Sequence, residues 1–124
     1  MRRSDQRRAA VFALYQGEVT GRPPAAALDD AKPFTRELVD GVEEHRAELD
    51  AEIARLARGW ELDRIAALEK SIMRVALYEL HHRDDVPTEV AIDEAVSLAR
   101  RYCGADAPAF VNGVLGTAAK AQSG

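Results

Sequence analysis

A single cysteine, Cys103, occurs in 124 residues, which excludes an intrachain disulfide and any cysteine-rich zinc site. No apolar run approaches the ~20 residues needed to span a bilayer. No apolar segment follows Arg2 and Arg3 as it would in a signal peptide. A reducing, cytoplasmic setting is the expectation. There is no glycine-rich phosphate loop and no serine nucleophile elbow. Histidines number three, His45, His81 and His82. Neighbouring residues on a helix point about 100° apart, so His81 and His82 do not share a metal in the usual helical way. His45 has no second histidine at ligand spacing along the chain, and Cys103 has none near it in sequence. These absences predict no catalytic residue, no metal and no cofactor, and the chain is not expected to be an enzyme.

What the sequence does have is helical patterning. Strict apolar–polar alternation is missing, and three- and four-residue spacings recur. A first helix is predicted from Ser4 or Asp5, either of which can cap it, with Ala10, Val11, Leu14 and Tyr15 inward. Gly17, Gly21 and Pro23–Pro24 end it. Residues 19–33 read as a loop with a helical turn at 25–28. One long helix is predicted over 34–58, with Phe34, Leu38, Val42, Leu49, Ile53 and Leu56 on one side. Gly41 inside it weakens the helix and marks a close crossing. Gly59 stops it, and Trp60 is expected to plug the corner beneath. The helix over 63–82 is apolar on most sides and so reads as the central one. Asp84–Pro87 turn the chain into a helix burying Val90, Ile92, Ala95, Val96 and Ala99. Asp106 is expected to cap the last helix, with Pro108 in its first turn. The expected fold is an all-α, compact bundle of about five to seven helices in one domain spanning 1–124.

The chain is mildly acidic, with a net charge of −4. Residues 1–8 nevertheless sum to +3, from Arg2, Arg3, Arg7 and Arg8 against Asp5, so the rest carries −7. A basic end of this kind suits phosphate. Most acidic residues, including Glu43, Glu44, Glu48 and Asp50, read as a solvated face. Glu69 and Glu79 sit near the buried sides of the central helix, and each needs a cation. Arg64 for Glu69 and Arg74 for Glu79 are the nearest candidates in sequence; for Glu69 a partner protein's cation is the other.

Three strings occur in order: residues 68–80 (LEKSIMRVALYEL), then Val86–Pro87 with residues 90–96 (VAIDEAV), then residues 110–115 (FVNGVL). With Arg7, Ala10 and Leu14–Tyr15 in the first helix, the chain resembles the NusB family of transcription antitermination factors over nearly its whole length. The resemblance implies two small packed helical subdomains and no catalysis. It implies binding to the single-stranded boxA element of nascent ribosomal RNA. It also implies a heterodimer with the ribosomal protein Nus factor E and joint loading onto RNA polymerase, which then reads through terminators.

Residue by residue, Arg3 and Arg7 match the family's arginine-rich RNA-binding segment, with Arg2 a helper. The two are four apart and are expected to share a face. Asp106 and Phe110 match the second RNA contact region, where a ring can stack on an unpaired base; helix capping and core packing are the plain alternatives. Tyr15 and Glu69 match the protein-partner surface. Ser4, Asp5 and Gln6 interrupt the arginines here, and Gly116 stands where many members have an acidic residue. Weak RNA affinity in the free protein is the expected consequence. The alternative reading is a helical protein-interaction module, or a homodimer, with weak or lost RNA binding.

Overall fold

In a computed structural model the chain is described over residues 2–24, 28 and 30–123. Six α-helices and one 3-10 turn occur among the described residues: α1 (Arg3–Thr20), α2 (Pro33–Glu44), α3 (Arg46–Leu56), the turn Leu62–Arg64, α4 (Ala67–His82), α5 (Thr88–Tyr102) and α6 (Ala107–Ser123). No strand is present among them. No helix is long and apolar enough to cross a membrane. The helical turn expected at 25–28 falls largely outside the described residues.

The apolar wrapping of α4 has the predicted result. Ile72, Met73, Val75, Ala76 and Leu77 are all buried, and α4 packs against every other α-helix. It runs antiparallel to α1, because Arg7 meets Glu79 at one end while Glu18 meets Lys70 and Arg74 at the other. α6 lies parallel to α4: Ala107 sits with Ile65 and Ala66 at its start, and Gln122 donates to the Leu80 carbonyl near its end. The last helix begins at Ala107 with Pro108 in its first turn, as the missing N–H allows.

Four local expectations are corrected. The predicted helix over 34–58 is two helices meeting at His45, where φ −106° and ψ 17° leave the helical range. α2 packs on α1 and α4, whereas α3 packs on α4 and α6, and one straight rod cannot follow both. Trp60 does not plug a corner: it is 55% exposed, while Ala57 and Ile65 on either side of it in sequence are buried. The buried stripe of α5 is Ala91, Ala95 and Ala99, with Ile92 and Val96 flanking it and Val90 exposed. Small residues there let α5 approach α4 and α6 closely. Asp106 caps α6 only through its carbonyl, which accepts from the Phe110 N–H at 3.2 Å, while its side chain is exposed.

Candidate nucleic-acid and partner interface

Arg3 and Arg7 do share a face, both guanidiniums lying over the Phe34 ring, at 4.4 and 5.4 Å, but on that face Arg7 is turned inward. Arg7 is 3% exposed and Glu79 is fully buried. The guanidinium of Arg7 donates from Nε to Glu79 Oε1 at 2.8 Å and from Nη2 to Oε2 at 2.7 Å. Its Nη1 lies 3.3 Å from Glu94. A bidentate pair in a low-dielectric interior is strong when every polar atom is satisfied, and no buried side-chain polar atom lacks a partner among the described residues. Sequence neighbours suggested Arg74 for Glu79. Arg74 instead binds Asp50 and Glu18, joining α4 to α3 and α1. Asp50 is therefore no plain solvated acid. Burial pushes the Glu18 carboxyl up, but hydrogen bonds from Arg74 and Lys70 outweigh this and hold it below its ordinary value.

Arg2 and Arg3 remain outside. Both are exposed at the start of α1, where Arg2 is the N-cap. Arg3 lies over the Phe34 ring at 4.4 Å and donates to Asp85 at 2.7 Å. Arg83 reaches the same ring at 5.2 Å and donates twice to Asp85, at 3.0 Å each. These bonds from Arg83 and Arg3 hold the Asp85 carboxyl well below the usual range. Arg83 was not legible as part of this patch, since only the fold brings the α4–α5 turn to the start of α1. Arg8 turns aside to Asp5 at 3.2 Å.

Asp106 and Phe110 lie elsewhere. With Trp60, Arg64, Ile65, Ala66, Glu69 and Ala107 they line a groove of ≈ 270 Å³ at the N-terminal end of α4. The Phe110 ring is half-buried and tilted against Trp60, with centroids 5.8 Å apart. Phe110 thus packs against the core and Trp60 while part of it lines the groove. Glu79 and Glu69 are ten residues apart on α4, about 15 Å along its axis, so the arginine patch and this groove occupy opposite ends of that helix.

Glu69 itself lacks a cation within ion-pair reach among the described residues. Arg64, its candidate, points to Glu61 at 3.6 Å. Burial pushes the Glu69 carboxyl up, and its charge helps burial push the Cys103 thiol up. Beside Cys103, Tyr102 stacks edge-on with Phe12 at 5.0 Å, and Phe12 meets Tyr15 edge-on at 6.4 Å. Tyr15 is thus joined to Tyr102 by an aromatic row across α1 and α5, and Cys103, next after Tyr102, feels the charge of Glu69 on α4. Phe12 and Tyr102 were missed in the sequence because neither falls on a core stripe.

Comparison with known proteins places the chain in a family. The NusB family profile matches residues 4–120. The transcription antitermination protein NusB of Rubrobacter xylanophilus is 43% identical over 122 residues, covering 93% of this chain and 88% of that protein. The NusB structure from T. maritima superposes with a TM-score of 0.88 at 32% identity, covering 97% of this chain and 92% of that one. A crystal structure of antitermination factors NusB and NusE in complex with dsRNA matches with a TM-score of 0.81 at 25% identity, covering 98% and 99%. An all-helical chain with a basic α1 start, matched along almost its full length at this identity, belongs to the NusB family of transcription antitermination proteins.

Proposed function

We propose that this chain is a non-catalytic adaptor in transcription antitermination, binding boxA-type RNA together with a NusE-like ribosomal protein and joining the RNA polymerase antitermination complex. The observation that carries this reading is the exposed Arg2–Arg3 start of α1, held in place by the sealed Arg7–Glu79 pair one turn inward. Helix-start amides and guanidinium groups both suit phosphate. The dsRNA and NusE found with the matched NusB structure support the same two partners here. Nothing in this role asks for a bond to be made or broken.

In this reading Arg2 and Arg3 contact phosphate, with Arg83 beside them. Arg7 is a positioning residue that fixes the first turn of α1. Phe110 offers the part that lines the groove to a base. Asp106 and Glu69 make the groove acidic, which suits base edges and a cation of the partner better than phosphate. Tyr15 and Glu69 then meet the ribosomal protein.

The test is titration of boxA-like RNA, single- and double-stranded, against the chain alone and with its ribosomal partner. Two exposed arginines predict about two displaced counterions and a log–log salt slope near −1.4 for a single strand. Arg2→Glu with Arg3→Glu is expected to abolish binding, while Asp85→Asn, which removes the competitor for Arg3, tightens it a few-fold. Unchanged binding by the double variant would remove α1 from the RNA site. No binding even with the partner present would favour the protein-interaction module.

A further inference from the structure

Along the chain His45 has no partner histidine, but the fold supplies one. His45 sits at the junction of α2 and α3, and His82 is the last residue of α4. Their rings stack with centroids 3.9 Å apart and planes 15° from parallel. Glu48, in the first turn of α3, lies across both. One carboxylate oxygen is 3.5 Å from His45 Nδ1 and the other 3.4 Å from His82 Nε2. One nitrogen from each ring and one Glu48 oxygen lie within 4.8 Å of one another. We propose that His45, His82 and Glu48 form a binding site for a divalent transition-metal ion of the zinc class.

The donor set is the first support. Two imidazoles and a carboxylate are typical ligands of borderline ions such as zinc, nickel and copper, and they discriminate against magnesium and calcium. Spacing is the second. Ligands on bonds of ~2.0–2.1 Å at tetrahedral angles stand ~3.3–3.4 Å apart; each imidazole nitrogen is already near that distance from one of the two Glu48 oxygens, and the three donors lie within 4.8 Å of one another. The two rings must still turn to aim their lone pairs at one point. They have room, since their side chains are 27% and 29% exposed and Glu48 is 59% exposed, and the terminal χ2 torsion of histidine is broad. Three protein ligands leave a fourth position for water.

The surroundings are selective as well. His81 does not compete, because its Nε2 is held by Glu52 Oε1 at 2.7 Å. Tyr78 stacks on His82 at 5.4 Å and lies 6.0 Å from His45, so it walls one side of the pair. A bound ion would tie the α2–α3 junction to the end of α4. This site is separate from the groove at Phe110 and does not depend on the RNA reading.

The experiment is titration of the purified full chain with Zn²⁺ by calorimetry, and with Co²⁺ by visible absorption. The expected result is one ion per chain, an intense d–d band of tetrahedral cobalt, and a rise in Tm with Zn²⁺. His45→Asn, His82→Asn and Glu48→Gln should each weaken binding by at least about tenfold, the scale already reached when outer-shell partners of a metal are removed. His81→Gln should bind as the parent does. Circular dichroism of each variant separates lost binding from lost folding. Absence of saturable binding, or binding that survives the His45→Asn/His82→Asn double change, would overturn the site.

Discussion

The two ends of α4 handle charge in opposite ways. Towards its C-terminal end Glu79 is fully buried and closed by two hydrogen bonds from Arg7, with Glu94 beside the same guanidinium. At its N-terminal end Glu69 is half-buried, has no cation within reach among the described residues, and opens into the groove that holds Asp106, Phe110 and Trp60. Both carboxylates lie on the same helix within the same family motif. A charge satisfied inside the chain builds the fold, whereas a charge left half-solvated is available to something outside it.

The strongest way to break this contrast is at the sealed end. Arg7→Ala leaves the Glu79 carboxylate buried and alone, which typically costs about 3–5 kcal/mol. Urea denaturation should show that loss, with RNA binding reduced only as far as the first turn of α1 loosens. A variant of parental stability that no longer binds RNA would make Arg7 a ligand of the RNA and not of the fold. At the open end, Phe110→Ala is expected to cost about 1–3 kcal/mol of RNA binding, the worth of one stacked base. Stability should fall less than for a core phenylalanine, because the ring is only half-buried. RNA affinity equal to the parent would reduce Phe110 to packing.

The smallest effect sharpens the contrast by pH. The Glu69 carboxyl is raised by burial in the folded chain. A raised acid favours the folded state in its neutral form, so its contribution is intact at low pH and is lost as pH rises through the ordinary carboxylate range towards the folded value. Glu69→Gln should therefore raise the Tm of the free chain slightly at pH 7 and not at pH 4. The same change should weaken binding of the ribosomal partner, read by calorimetry. A lower Tm at pH 7 would mean that the carboxylate is satisfied within the chain after all.

Helix number, the central place of α4 and the turns at Gly59 and Asp84–Pro87 were legible because apolar spacing and turn residues act locally. The break at His45 was not, since the stripe through Leu38, Val42, Leu49 and Ile53 continues across it. Only the separate neighbours of α2 and α3 decide it. Arg7 illustrates the limit for the interface. Its spacing from Arg3 placed both on one face, but spacing does not say which way that face turns, and Glu79 lies 72 residues away. Arg83 and the His45–His82 stack were hidden for the same reason, being contacts between distant segments. The family resemblance named the residues of each surface; which side chain is free on each was a matter of packing.

Gly41 shows how narrow the tolerance of such packing can be. A methyl group there would stand 2.1 Å from the ring of Tyr78, well inside any contact that real side chains make. Glycine within a helix weakens it by about 1 kcal/mol relative to alanine, so a helix-strengthening change at this position defeats itself. Random drift along α2 is thereby filtered by size at one residue and hardly at all at its exposed neighbours Asp40 and Glu43. An engineer raising the helicity of this protein should leave position 41 untouched and work on the solvent side.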